Sequence, residues 1–281
     1  MSAPAAEPPL LALTQGEPAG IGPDIAIEAW LARRRYGVPP FIFVGDPDLL
    51  ARRATALRRD LPLVRVKPGE AAAAFDTALP CLDADLPPAA GRPGELAPRE
   101  HGAGVLAAIR SAVTLVRRGE AGAIVTNPIH KKALSEVGFA HPGHTEFLGK
   151  LAEEAFGVQA RPVMMLAGPG LRVVPVTIHI PLRTVPRALT TELIVATGRI
   201  VAEELTRRFA VAGPRLAVAG LNPHAGEDGL LGSEDEAVVA PAVAELARSG
   251  IDAVGPLSAD TMFHDEARRR YDAALCMYHD Q

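Results

Sequence analysis

The chain has 281 residues, 48% of them hydrophobic and 22% charged, with a formal charge of −4. At roughly 150 residues per domain the length suits two domains or one large one, and this apolar share excludes wholesale disorder. A slightly acidic balance argues against a nucleic-acid backbone binder, and the 8 Phe, 3 Tyr and 1 Trp are too scattered to form base-stacking platforms.

Cys81 and Cys276 are the two cysteines. They form neither a C-x-x-C pair nor a disulfide framework, so a reducing compartment fits best. The first residues lack the basic region and the apolar stretch of a signal peptide. No apolar run approaches the ~20 residues of a membrane-spanning helix. The expectation is a soluble, cytoplasmic protein without nucleic-acid or membrane partners.

Short apolar runs alternate with longer amphipathic ones along the chain. Strands are expected at Leu10–Thr14, Phe41–Gly45, Leu63–Val66, Ala78–Leu82 and Ala123–Thr126. Helices are expected at Pro23–Arg34, Pro47–Arg59, His101–Arg118 and Lys131–Val137, the third with Val105, Ile109, Ala112, Val113 and Val116 on one face. The Pro- and Gly-rich stretch 84–99 reads as a loop. In the second half the expected helices are His144–Phe156, Thr191–Phe209 (capped by Thr190 or Thr191) and Glu234–Arg248. Expected strands are Val163–Leu166, Val173–Thr177, Leu216–Leu221, Ala253–Leu257 and Ala273–Met277. Such alternation means an α/β fold with largely parallel pairing.

In open α/β sheets ligands bind beyond the carboxyl ends of strands. Three histidines follow expected strands: His179, His224 and His279. Converging at one sheet edge, they would hold a divalent metal and leave positions for substrate. Taken singly, each reads as a loop residue bonded to backbone, and their spacing is not a metal motif. Asp260 and Asp280 are candidates for carboxylates that orient such imidazoles.

Gly143-His144-Thr145-Glu146 opens an expected helix, whose free N–H groups could meet an anion with His144 and Thr145 as extra donors. An ordinary helix cap is the plainer reading. The loop from Thr14 to Asp24 carries Gly16, Gly20 and Gly22 between a strand and a helix. Its spacing is neither G-x-G-x-x-G nor a Walker A loop, and Asp46 after the second strand does not complete the fingerprint. A tight turn explains it. Lys131 and Lys132, two of four lysines, could meet an anion or simply face solvent. His101, His130, His141 and His264 carry no comparable argument. No Ser-His-Asp or Cys-His arrangement is present in the motifs.

Seven segments in order, Thr14–Asp24, Val125–Lys131, Gly143–Phe147, Thr177–Leu182, Gly220–Glu227, Gly255–Thr261 and Met277–Gln281, resemble the successive signatures of the 4-hydroxythreonine-4-phosphate dehydrogenase family. The resemblance implies an isocitrate/isopropylmalate-dehydrogenase-like fold, two α/β/α domains around a cleft. The expected division is 1–128 plus 256–281 as the first domain and 129–255 as the second. It also implies a homodimer whose active sites use both subunits. His179, His224 and His279 match metal-binding positions, the last supplied by the other subunit, and His144 and Thr145 match substrate-binding positions.

The implied reaction takes a phosphorylated hydroxy acid, 4-phosphooxy-L-threonine, and NAD or NADP, with one divalent metal (Zn, Mg or Co) per site. A hydride leaves the hydroxyl-bearing carbon, and the β-keto acid loses CO2 to give 3-amino-2-oxopropyl phosphate, for pyridoxal phosphate synthesis. The cofactor-binding residues and the general base are unassigned. Relatives acting on four-carbon sugar-acid phosphates or cis-dihydrodiols share these motifs. A metal-dependent hydrolase or an incompetent chain are the alternatives of other classes. The family pattern runs on past Tyr-His-Asp-Gln with Lys, Asn and Arg substrate positions, so the sequence is expected to lack a C-terminal segment.

Overall fold

A computed structural model describes residues 9–89, 92–95, 98–141 and 143–281. The chain divides into two compact units, Met1–Pro162 and Val163–Gln281. Among the described residues no helix is long and apolar enough to cross a membrane.

The first unit contains, in chain order, β1 (Leu11–Thr14), α1 (Gly22–Leu31), α2 (Arg33–Tyr36), β2 (Phe41–Val44), α3 (Pro47–Ala56), β3 (Leu63–Val66), α4 (Ala71–Ala74), β4 (Leu79–Leu82), α5 (Pro98–Arg117), β5 (Ala123–Val125), α6 (Lys131–Ser135) and α7 (His144–Phe156). Its strands pair in parallel in the order β3-β4-β2-β1-β5. All four residues of β2 are buried. Such a continuous apolar run is the mark of a parallel strand covered on both faces. The expected helix over 23–34 stops early: the chain breaks step at Ala32, and α2 ends at Gly37, whose φ of 62° suits glycine.

The second unit contains β6 (Leu166–Gly168), β7 (Leu171–Thr177), α8 (Val185–Ala188), α9 (Thr191–Phe209), β8 (Arg215–Ala219), α10 (Ala240–Arg248), β9 (Asp252–Leu257), α11 (Asp265–Arg268) and β10 (Ala273–Tyr278). The sheet order is β6-β7-β10-β8-β9. All pairs are parallel except β6 with β7, an antiparallel hairpin. The expected strand from Val163 begins only at Leu166, where this pairing starts. Thr190 caps α9 as expected, its Oγ1 accepting the Leu193 N–H at 3.1 Å. The helix expected from Glu234 opens with a π turn over Asp235–Val239, ahead of Pro241, which supplies no N–H to continue a regular ladder.

The α/β reading with largely parallel sheets holds, and the two compact units divide elsewhere than the resemblance implied. Segment 256–281 lies in the second unit because β10 is inserted between β7 and β8. Ala273, Leu275 and Met277 join its core with Val174, Leu216 and Leu246. Segment 129–162 stays with the first unit because Leu134, Phe147 and Leu151 pack on Val105, Ile109 and Val113 of α5. At about 1.5–3 kcal/mol for each fully buried large apolar side chain, these contacts hold 129–162 on the first unit.

Within the first unit, the 14–24 loop is closed by packing rather than shaped for phosphate. A Cβ on Gly16 (φ 68°) would lie 2.7 Å from Asn127 Cβ and Pro128 O, and one on Gly22 would lie 2.7 Å from Gln15 O. The loop also buries a carboxylate: Glu17 Oε1 stands 2.5 Å from His101 Nδ1 on α5, with side chains 6% and 0% exposed. His101→Ala would strand that carboxylate in the interior. Its expected cost is about 3–5 kcal/mol, read by denaturant unfolding. Arg59→Ala at the exposed Arg59–Glu28 pair should cost under about 1 kcal/mol. Equal costs would show that the buried pair contributes nothing special.

Candidate metal and substrate site

The order β7-β10-β8 brings three strand ends to one edge of the second sheet, because β10 runs parallel to both neighbours. His179 follows β7, His279 follows β10 directly, and His224 lies in the loop after β8. Thr177 ties two of these ends together, its Oγ1 donating to the Met277 carbonyl at 2.7 Å. Both His179 (φ 51°) and His224 (φ 52°) hold left-handed backbone. Such strain costs about 1–3 kcal/mol per residue and gathers at functional sites.

His179 and His279 face each other with ring centroids 5.5 Å apart and line a cleft of about 150 Å³ with Tyr278 and Asp280. His224 lines a neighbouring cleft of about 230 Å³ with Asn222, Asp260, Tyr278 and Gln281. Tyr278 therefore lines both. Within the described residues of one chain, no group of three or more His, Cys, Asp or Glu is gathered closely enough to hold a metal ion.

Carboxylates accompany two of the imidazoles, as the sequence suggested. Asp280 Oδ1 lies 3.0 Å from His279 Nδ1, and Asp260 Oδ2 lies 3.8 Å from His224 Nδ1. The Ser258 hydroxyl, donating at 2.5 Å, holds Asp260 below the usual carboxylate range, so it faces His224 as an anion. At 3.0 Å the Asp280 carboxylate accepts from His279 Nδ1, which fixes that tautomer and leaves the Nε2 lone pair for a metal. Asp260, at 3.8 Å, is a charged neighbour of His224 rather than a hydrogen-bond partner. These nitrogen donors are the kind that suit Zn and Co.

In the first unit, His144 and Thr145 open α7 behind the extended Gly143. Glu146 Oε2 sits close to Gly143, 3.1 Å from where a Cβ would stand, so one anionic group already occupies this helix start. His144 Nε2 is buried with no hydrogen-bond partner among the described residues. Burial pushes the His144 pKa down, which keeps the ring neutral and its free nitrogen available for a ligand.

The remaining motif residues serve structure. Asp46 caps α3: Oδ1 accepts the Asp48 N–H and Oδ2 the Ala89 N–H, both at 2.9 Å. Both of its oxygens thus hold backbone, at the start of α3 and at residue 89. His130 and His264 cap α6 and α11, and His141 packs against Phe139 and Phe147. Cys81 and Cys276 are buried, their thiols pushed up to about 12 by desolvation, and so are unreactive.

The sequence pattern of the pyridoxal phosphate biosynthetic protein PdxA family matches residues 38–281, which include all five candidate site residues. The chain belongs to the PdxA family. It is 55% identical over 280 residues to 4-hydroxythreonine-4-phosphate dehydrogenase of Bradyrhizobium diazoefficiens, covering 96% of this chain and 80% of that protein. Against the Methylorubrum populi protein of the same name, identity is 52% over 275 residues, covering 96% and 78%. The crystal structure of the Klebsiella pneumoniae 4-hydroxythreonine-4-phosphate dehydrogenase matches with TM-score 0.85 and 35% identity, covering 97% of this chain and 82% of that one. A terephthalate 1,2-cis-dihydrodiol dehydrogenase from Burkholderia xenovorans matches with TM-score 0.65 and 28% identity, over 97% and 80%. The PdxA fold thus follows from sequence and coordinates alike.

The depressed His144 pKa has a sign that can be tested. The unfolded chain takes up this proton near the ordinary value of 6.5, the folded chain only at lower pH. Stability therefore falls as pH drops through 6.5 and levels off below the folded pKa. Denaturant unfolding across this range should show a steeper loss for the wild type than for His144→Gln. Equal slopes would place the titration elsewhere.

Proposed function

We propose that this chain is a metal-dependent, NAD(P)-linked dehydrogenase of 4-phosphooxy-L-threonine in pyridoxal phosphate synthesis. The observation that carries the reading is that His179, His224 and His279 follow β7, β8 and β10 at one edge of the second sheet, with Asp280 hydrogen-bonded to His279 Nδ1, in a chain 55% identical to a protein of that name.

We further propose that His179 and His224 of one subunit and His279 of a second copy hold one divalent cation, Zn, Mg or Co, in a cytoplasmic homodimer. His279 suits the shared role, since it directly follows β10 and its neighbour Asp280 is 93% exposed. His144 and Thr145 are proposed to bind the substrate, the neutral His144 ring directing its unpaired Nε2 to the phosphate or a neighbouring oxygen.

When bound, a cation held by His179, His224 and the second copy's His279 would supply the positive charge that favours loss of the substrate hydroxyl's proton, and a bound nicotinamide would supply the hydride acceptor. This chain's own residues supply positioning. Asp280 holds His279 in the tautomer that presents Nε2, Asp260 places a negative charge beside His224, and the strand pairing holds the strand ends in register. The Burkholderia match has the lower TM-score, 0.65 against 0.85, which favours the phosphorylated hydroxy acid over a dihydrodiol.

The test is NAD(P)+ reduction with added divalent metal, over 4-phosphooxy-L-threonine, a four-carbon sugar-acid phosphate and a cis-dihydrodiol. The first should be turned over fastest. Hydrolysis without reduced nicotinamide would instead support a metal hydrolase, and no turnover at all an incompetent chain. His179→Ala should lower metal-dependent turnover by more than the roughly 10–100-fold typical of losing a supporting partner, with an unchanged circular dichroism spectrum. Full activity in that variant, with metal supplied, would refute the ligand assignment.

A further inference from the structure

The loop carrying His224 has a backbone that L-amino acids resist. His224, Ala225, Gly226, Glu227, Asp228 and Gly229 follow one another with φ of 52°, 53°, 84°, 43°, 55° and 87°. L residues visit this region singly, not in runs. A run of this kind persists only where its surroundings over-determine it.

The surroundings centre on one buried carboxylate. Asp235 is 1% exposed and begins the π turn ahead of α10. Its Oδ1 accepts the Leu221 N–H at 2.6 Å. Its Oδ2 accepts the Asn222 N–H at 3.0 Å and the Asn222 side-chain amide at 3.1 Å. The loop wraps the carboxylate so closely that a Cβ on Gly220 would lie 2.9 Å from Oδ1, and one on Gly226 3.3 Å from Oδ2.

A second tether joins this loop to the turn bearing His279. Gln281 Nε2 donates to the Gly220 carbonyl, and Gln281 Oε1 accepts the Met277 N–H at 2.6 Å. The two histidine loops are therefore linked by side chains that line up backbone, not ligand.

We propose that Asp235 is a positioning residue for His224: its carboxylate clamps residues 221–222 and so fixes where the left-handed turn delivers the imidazole. The proposal rests on the reading of His224 as a metal ligand. Every group bonded to Asp235 is a donor. A carboxylate meets that demand, and an isosteric amide would turn its own N–H2 toward one of them. Asp235→Asn therefore preserves volume while breaking the clamp.

The experiment titrates Co²⁺ alone into the wild type, Asp235→Asn and His224→Ala, with amide hydrogen exchange followed on the same samples. Asp235→Asn should weaken Co²⁺ binding by about 10–100-fold, as expected for loss of a ligand's support. Exchange over 220–230 should quicken while α9 and β10 keep wild-type protection. Co²⁺ affinity within about twofold of the wild type, with binding lost in His224→Ala, would overturn the positioning role alone. Wild-type affinity in His224→Ala would instead overturn the ligand reading, and the positioning role with it. Faster exchange throughout α9 and β10 would mark Asp235 as a general stabiliser and equally defeat the proposal. If Asp235→Asn does not fold, Asn222→Ala removes one donor and leaves the carboxylate in place. It should weaken Co²⁺ binding in the same direction, and unchanged affinity there would count against the clamp.

Discussion

The parallel insertion of β10 between β7 and β8 is the constraint on which the chemistry of the second unit depends. Its register sets Tyr278 beside Thr177 and Leu275 beside Val218. A slip of one residue would turn every side chain of β10 to the other face, exchanging Leu275 and Met277 of one core for the smaller Ala274 and Cys276 of the other. Packing in two unequal cores thus fixes the register, and the register fixes where the three histidine loops leave the sheet.

From that edge onward the structure works against local preference. His179 and His224 sit in left-handed backbone, and the loop around Asp235 sustains that conformation over six residues. The first unit shows a related tension in its interior, where Glu17 and His101 are paired away from water. Gln15 Nε2, Glu17 Oε2 and His101 Nε2 are buried there without partners among the described residues. Both features sit beyond strand carboxyl ends, the region where α/β proteins place their chemistry.

Much of this was legible in the sequence, for physical reasons. Buried parallel strands read as apolar runs, so Phe41–Val44 and Ala273–Met277 announced themselves. The polar residues after such runs pointed to His179, His224 and His279, and to Asp260 and Asp280 beside them. The domain division was not legible, because the partner of β10 depends on strand pairing across distant segments, and no local pattern records it. Asp235 and His101 were missed for the same reason: each is one acidic or basic residue on an ordinary helical stretch, made significant only by the loop that folds onto it. A carboxylate 14 residues beyond Leu221, just before an apolar helix, was the one available hint. The glycines of the 14–24 loop could be read as a phosphate cradle or a tight turn, and contacts with Asn127 and Pro128 decide for the turn.

The central claim is that His179 and His224 of one subunit act with His279 of another, and mixing inactive chains tests it most directly. His179→Ala and His279→Ala chains, each inactive alone, are co-expressed and assayed with metal and NAD(P)+. In a mixed dimer one site draws His179 from one chain and His279 from the other, both intact. Random pairing makes half the dimers mixed with one good site of two, so activity should return to about a quarter of the wild type. Activity no greater than that of the separate variants would place all three histidines in one chain and contradict the account.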